Sequence, residues 1–375
     1  MKKVATITYH ASHNCGSMLQ ALALQKVILE NCGYENELIN FSNQGQKEMY
    51  AIFNKVRTPR NLAGNLLRLA FYPLLIRSRN DFEAFITDYL KVADERYTET
   101  EELKVIDGKY QYYVCGSDQV WNTKAKDFDD AYFLSFVTKG RKIAYATSLG
   151  ATNIIEKEED RRHYEELLSD FSHVSVREGN GKSIIKNIYR DEVKITVDPT
   201  LLLSKEEWNR CVPTDEPLVK GKYIFYYAFG YNDNVNRFVR EMGKKYKMPV
   251  YLIDAKPWGV GRKFRFGFKL SKKFGPIAML NLMRHASLVF TTSFHGNVFS
   301  TIYEKKFWFV KSDMFNKNDD RATYLLNQLG LIDRFKSIAE LKHMNLMEEI
   351  DFVASRNKIE TLKEDSINFL KESLA

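Results

Sequence analysis

The sequence predicts an α/β protein built of two domains that face each other across a cleft. Three observations carry this. Apolar, β-branched runs alternate with helical runs along most of the chain, a pattern that implies parallel strands covered by helices on both faces. The chain has 375 residues, and a domain usually takes about 100–200. The alternation lapses near the middle, over residues 204–221, where Pro213, Pro217 and polar residues show no sustained period.

In the first half, Val4–Tyr9 reads as a strand from its Val, Ile, Thr and Tyr content. A helix over Ser17–Asn31 follows, ended by Gly33. Strands are expected at Glu37–Phe41, Tyr110–Cys115, Lys142–Ala146, His173–Arg177 and Val193–Val197, with helices at Lys157–Asp170 and Gly181–Ile188. In the second half, strands are expected at Tyr223–Phe229, Val250–Asp254, Leu288–Thr292 and Phe307–Val310. Helices are expected at Asn234–Tyr246, Ile277–His285, Asn297–Glu304 and Arg321–Leu329. The division is therefore residues 1–203, residues 204–346, and a last helix over 347–375 that returns to the first domain.

Two segments admit more than one reading. Arg262–Lys269 alternates charge with Phe264, Phe266 and Phe268; as an edge strand it turns a basic row to water, and as a lip it meets an anionic glycan or lipid. Leu66–Ile76 is apolar and is surrounded by Arg57, Arg60, Arg68, Arg77 and Arg79. A core helix with a basic edge is the first expectation, because apolar helical faces pack inward. A helix lying on an anionic membrane is the alternative.

Hydrophobic residues make up 44% and charged residues 28%, as in ordinary globular proteins. Cys15, Cys32, Cys115 and Cys211 show neither metal-ligand spacing nor a disulfide framework. No run reaches the roughly 18 apolar residues of a spanning helix, and the start of the chain is a poor signal-peptide core. A cytoplasmic protein is expected, with peripheral contact to the inner face of the membrane as an option. The net charge of +8 favours anionic ligands. No nucleic-acid motif is present, and neither a metal nor a cofactor is expected.

Open α/β sheets bind ligands beyond the carboxyl ends of their strands, and four loops there carry unusual polar content. In His10–Ser17, Asn14 or Ser17 can cap a helix whose free N–H groups attract anions, and Gly16 allows close approach; an ordinary capped turn is the competing reading. His10 and His13 of this loop are also within reach of a ligand. In Gly116–Asn122, Ser117, Asp118 and Gln119 gather donors and acceptors, and Trp121 offers a flat apolar face to a sugar ring. Asp118 can orient or deprotonate a hydroxyl, or simply bond turn amides. Arg177, at a strand end, can clamp a carboxylate or phosphate or form an ion pair with Glu178 or Asp118. The fourth loop runs from Leu288–Thr292 into a helix through Ser293, Phe294, His295, Gly296 and Asn297. His295 at the helix start suits proton donation near neutral pH, and Gly296 leaves room for an anion at the helix N-terminus.

Taken in order, five segments resemble the polysaccharide pyruvyl transferase family. They are Asn14-Cys15-Gly16-Ser17-Met18-Leu19-Gln20-Ala21, Gly116-Ser117-Asp118-Gln119-Val120-Trp121-Asn122, Ser175-Val176-Arg177-Glu178, Val197-Asp198-Pro199-Thr200, and Thr292-Ser293-Phe294-His295-Gly296-Asn297. The resemblance implies two Rossmann-like domains facing a cleft, GT-B-like. It implies phosphoenolpyruvate as donor and a sugar, free or in a lipid-linked oligosaccharide, as acceptor, joined as a pyruvate ketal on a surface or exopolysaccharide. His295 would be the general acid and Asp118 its partner on the acceptor. Arg177, Ser293, Gly296, Asn297 and Arg284 would bind donor; Asn14, Gly16, Gln20, Ser117, Gln119 and Trp121 would bind acceptor. Family members commonly carry Arg-Leu-His where this chain has Ser293-Phe294-His295, so either another cation serves, with Arg177, Arg284 and the Arg262–Lys273 cluster as the options, or the chain belongs to a branch that uses another donor or acceptor. A glycosyltransferase using a nucleotide sugar and a non-catalytic glycan-binding protein are the rival classes.

Overall fold

The computed structural model describes residues 3–214, 216–312 and 319–375. Its first sheet contains β1 (Lys3–Ile7), β2 (Glu35–Phe41), β3 (Val92–Tyr97), β4 (Tyr112–Cys115), β5 (Arg141–Thr147), β6 (Phe171–Val176) and β7 (Val193–Ile195). The strands are all parallel and lie in the order β3-β2-β1-β4-β5-β6-β7. The second sheet contains β8 (Ile224–Tyr227), β9 (Val250–Leu252), β10 (Lys269–Leu270), β11 (Leu288–Thr291), β12 (Phe307–Lys311) and β13 (Phe335–Ser337). It too is parallel, in the order β10-β9-β8-β11-β12-β13.

The central strands explain the apolar runs. Every residue of β4, β8 and β11 is buried, because helices cover both sheet faces and leave no solvent side. In each sheet the strand order reverses at one place: between β1 and β4, and between β8 and β11. At such a reversal the following loops diverge and open a crevice beyond the strand ends. The loops after β1, β4 and β8 hold Asn14, Asp118 and Phe229, and the short turn after β11 leads into the helix that begins with His295 in its first turn.

The helix Val353–Ser373 packs back on the first sheet's domain. Val197 N donates to Ser366 Oγ at 3.0 Å, while Tyr112 OH and Arg141 Nη1 reach the carbonyl of Ala375 at 3.1 and 2.7 Å. Among the described residues, no helix is long and apolar enough to cross a membrane.

Two expectations fail. Arg262–Lys269 is not an edge strand; Lys263–Phe266 is a 3₁₀ turn between left-handed Arg262 (φ 55°) and Gly267 (φ 77°), and only Lys269–Leu270 pairs with β9. The turn lets Phe266 stack on Phe268 at 5.6 Å and lets Trp258 Nε1 bond the Phe268 carbonyl at 2.8 Å. The apolar run Leu66–Ile76 is not one core helix either. It breaks at Phe71 into Pro59–Ala70 and Tyr72–Tyr89, where Pro73 lacks the N–H that a continuous helix needs. The second helix buries Leu75, Phe82 and Phe85; the first buries nothing.

Candidate active site

The site is built where the two reversals face each other. In the first domain, Asn14 caps the helix Cys15–Cys32: its Oδ1 accepts from Gly16 N at 2.9 Å and from Ser17 N at 3.3 Å. That satisfies two of the helix's free donors and aims the turn at the other domain. There the helix Phe294–Ile302 begins, with His295 in its first turn. The imidazole rests against Gly16: a Cβ on Gly16 would lie 2.0 Å from His295 Nδ1 and 2.3 Å from Cγ.

Behind the ring lies a buried charge cluster. His295 Nε2 is 3.4 Å from Asp198 Oδ2; the contact is not aligned as a hydrogen bond, so the link is electrostatic. Arg177 Nη1 donates to the same Asp198 oxygen at 2.5 Å, and Arg177 Nη2 reaches Asp118 Oδ1 at 3.3 Å. Its Nε is 3.8 Å from Glu178, and its guanidinium lies 4.5 Å over the Phe294 ring. Asp118 also accepts from Ser17 Oγ and, at 2.9 Å, from Gln119 N.

The cluster sorts its protons. Burial alone would raise the Asp198 carboxyl, but His295, Arg177 and the Thr200 hydroxyl hold it well below the usual carboxylate range. At Asp118 burial is likewise overcome by Arg177, His295 and Ser17, and that carboxyl is lowered. Glu178 goes the other way: burial dominates over Arg177 and Arg321 and pushes it up to about 7. Two carboxylates are thus ionised beside one imidazole, while the third stays near its midpoint at neutral pH.

A cavity of about 800 Å³ opens in front of this cluster. Its walls include Asn14, Ser17, Asp118, Gln119, Ser293 and His295. Arg321 also faces it, held by Asp319 through Nε–Oδ1 at 2.7 Å and Nη2–Oδ2 at 2.5 Å. Lys124 lines the outer part beside Glu156, at 2.8 Å, and Phe229, 78% exposed, stands at the second domain's rim.

Several expected contacts are placed elsewhere. Trp121 is fully buried, stacked on Phe133 at 4.7 Å, with Nε1 bonded to the Tyr132 carbonyl at 3.0 Å; its face serves the core, not a sugar. Ser117 and Gln20 are also fully buried. Ser117 Oγ bonds the Ala146 carbonyl at 2.6 Å, and Gln20 ties Thr8, Ser17 and Ser117 together. Arg284 stands at the other end of the second sheet, in the last turn before β11 begins, bonded to Thr214 Oγ1 at 3.3 Å. Gly296 makes room for a strand rather than a ligand, since a Cβ there would lie 2.0 Å from Thr291 Oγ1. Asn297 is fully buried with both side-chain polar atoms unpartnered. Arg177 lies behind the cavity wall with its charge met by carboxylates. In the first loop, His10 is buried, and His13 turns to Glu83 at 3.0 Å and stacks on Phe82.

Sequence reasoning passed over Asp198 as a site residue, although Asp198-Pro199-Thr200 stands out as a motif. It missed Arg321, Asp319 and Phe229 as site residues, although Phe229 ends one expected strand and Arg321 opens one expected helix.

Two parallel-sheet domains meeting at facing strand reversals, with a polar cleft between them, define a protein of the GT-B fold class. Solved structures agree. The MnaA–UDP structure from S. aureus is 13% identical with a TM-score of 0.51, covering 97% of each chain. The UDP-GlcNAc 2-epimerase of Methanocaldococcus jannaschii is 10% identical with a TM-score of 0.50, covering 97% of this chain and 100% of that one. A UDP-N-acetylglucosamine 2-epimerase from Listeria monocytogenes, described as putative, is 12% identical with a TM-score of 0.50, covering 100% and 90%. A comparison with curated protein sequences gives no match. The family model for polysaccharide pyruvyl transferase matches residues 14–313. The chain belongs to that family and is a transferase.

Proposed function

We propose that the protein transfers a pyruvyl group from phosphoenolpyruvate to two hydroxyls of a sugar, forming a cyclic ketal on a surface or exopolysaccharide. The observation that carries this reading is the His295 imidazole, set at the cleft between an ionised, buried Asp198 and the cavity that Asp118 and Arg321 line.

The donor is an enol ester, and a proton on its methylene carbon makes the central carbon electrophilic. Asp198 stands behind Nε2 at 3.4 Å, and the protonated ring delivers its proton to the methylene carbon. One sugar hydroxyl attacks the central carbon and gives its proton to Asp118. The carbon–oxygen bond to phosphate breaks. The second hydroxyl then attacks the same carbon, its proton restores the imidazolium, and the proton on Asp118 departs with phosphate. Arg321, fixed by Asp319, supplies the cation for the donor's anionic groups in place of the arginine that Ser293 replaces. Phe229 offers the exposed flat face for the sugar that Trp121 does not.

The test pairs binding with turnover. A ligand that binds only the folded state adds about 2.7 kcal/mol at 100 times its dissociation constant, so phosphoenolpyruvate is expected to raise the melting temperature. UDP-sugars, suited to the rival glycosyltransferase reading, are expected to leave it unchanged. His295→Ala is expected to keep the fold and lose about 100- to 10,000-fold of phosphate release with a diol sugar, the usual contribution of a positioned acid. Protection by UDP-sugars but not by phosphoenolpyruvate would overturn the reading. So would wild-type turnover in the variant.

A further inference from the structure

Residues 49–80 contain Lys55, Arg57, Arg60, Arg68, Arg77 and Arg79 and no Asp or Glu. The helix Pro59–Ala70 in their midst buries none of its residues. Leu62, Leu66 and Leu69 are 52%, 63% and 60% exposed. They recur at the spacing of one helical face, and nearby Val56 is 60% exposed as well. The helix is nevertheless held in place. Thr58 Oγ1 accepts from Asn61 N at 3.2 Å, and the Asn65 side chain bonds the backbone of Asn54 twice, at 2.9 Å each. Its apolar face is therefore presented outward by fixed polar contacts.

The second domain extends the same surface. Residues 255–303 also contain no Asp or Glu, and they carry Arg262, Lys263 and Arg265 in and beside the 3₁₀ turn. Phe71, which ends the leucine helix, lies 6.3 Å from Phe264 ring to ring, and a Cβ on Gly259 would stand 2.8 Å from it. A basic segment from each domain thus meets around one exposed apolar stripe, with Glu48, Glu83 and Asp233 of flanking segments pairing Lys55, Arg79 and Lys263 and leaving Arg57, Arg60, Arg262 and Arg265 in excess.

We propose that this face docks on an anionic lipid bilayer, with the leucines at the acyl boundary and the arginines among the headgroups. Charge selects this occupant. A second copy of the chain, packed face to face, would set two surfaces with the same excess of arginines against each other. An anionic bilayer offers the opposite charge together with an apolar interior for the leucines. The segment directly follows Tyr50, which lines the cavity, so docking would hold the cleft beside the membrane. Lipid binding is measured without turnover, so it stands or falls separately from pyruvyl transfer.

The experiment is co-sedimentation of the full chain with vesicles of phosphatidylcholine alone and of phosphatidylcholine mixed with phosphatidylglycerol. Expected is partitioning at least about tenfold stronger on the anionic vesicles, weakened by salt. The triple variant Leu62→Glu, Leu66→Glu, Leu69→Glu alters only exposed positions, so its circular dichroism and melting temperature should match wild type while that binding is lost. Equal, weak partitioning on both vesicles would overturn the proposal, as would a triple variant that binds like wild type. A concentration-dependent dimer that the triple variant abolishes, without vesicle binding, would overturn it in favour of a self-interface.

Discussion

Gly16 and His295 share one space: a methyl group on Gly16 would stand 2.0 Å from Nδ1 of the imidazole. The first helix of one domain thus accepts the ring of the other because residue 16 has no side chain. Gly16→Ala must push the ring aside or part the domains, since both Nδ1 and Cγ lie far inside van der Waals contact of the added carbon. Misplacing a reacting group by about 1 Å costs about 100-fold in rate. Steady-state kinetics should show a fall of that order in kcat, with a melting temperature lowered far less than by a core cavity. Unchanged kcat would mean that the ring has no role in turnover.

Asp198 joins Arg177, at 2.5 Å, to His295, at 3.4 Å. Asp198→Asn removes their shared anion and leaves a buried guanidinium short of charge. Breaking a buried pair this way costs about 3–5 kcal/mol, measurable by denaturant unfolding. If Asp198 also positions the imidazolium, kcat should fall while KM for the acceptor stays. A stability loss with kcat intact would make the cluster a structural device only.

The fold and the cleft were legible where chemistry is local. Val4–Ile7, Val114–Cys115 and Leu288–Thr291 are apolar runs that end in small polar turns, and a two-sided buried strand demands that pattern. The strand β3, Val92–Tyr97, was not legible: three consecutive charged residues, Asp94, Glu95 and Arg96, interrupt the apolar pattern of a buried strand, and its exposed edge position tolerates them. Trp121 shows a second limit. A turn sequence places an indole near a strand end but does not say on which side of the backbone it falls; here it falls on Phe133. Asp198 shows a third, because its weight comes from Arg177 and His295, which lie 21 and 97 positions away and become neighbours only through the folded chain.

Trp121 and Phe229 should therefore separate stability from binding. Trp121 is fully buried, and truncating a core Trp or Phe to Ala costs about 3–5 kcal/mol. Trp121→Ala should lower the melting temperature sharply and leave KM for acceptor unchanged in the protein that remains folded. Phe229 is 78% exposed at the cleft rim, so Phe229→Ala should leave the melting temperature alone and raise KM for acceptor. The reverse pattern would return the sugar platform to Trp121.

Arg321 is the donor's anchor in the proposed reaction, and the fork it makes with Asp319 fixes its orientation. A lysine keeps the charge but loses the planar, two-bond geometry. Arg321→Lys should raise KM for phosphoenolpyruvate about tenfold, and Arg321→Gln more, each bond to a charged group contributing about 1.5–3 kcal/mol. Acceptor KM should hold. Equal donor KM in all three proteins would move the anion site elsewhere in the cleft.

His10 and Glu178 should pull the stability of the fold in opposite directions over one pH window. Burial lowers this imidazole from 6.5 to about 4, against a smaller upward pull from its bond to the Thr8 carbonyl at 3.2 Å. The folded protein holds His10 neutral, while the unfolded chain takes up its proton below pH 6.5. The unfolded state therefore binds more protons, and stability falls as pH drops from about 6.5 toward 4. One extra proton on the unfolded chain costs about 1.4 kcal/mol for each pH step through that window, so the loss is on the order of 3 kcal/mol by pH 4. Below that, protonation of the lowered Asp118 and Asp198 carboxyls removes more. Glu178, raised to about 7, acts with the opposite sign, its neutral form favouring the fold most below 4.5 and losing that effect by about pH 7. Denaturant unfolding of His10→Asn and Glu178→Gln from pH 4 to 8 separates the two. In wild type the two nearly cancel between pH 7 and 4. His10→Asn should therefore gain stability as pH drops from 7 to 4.5, and Glu178→Gln should lose it from 6.5 to 4. Profiles of both variants that match wild type would assign the pH dependence to other groups.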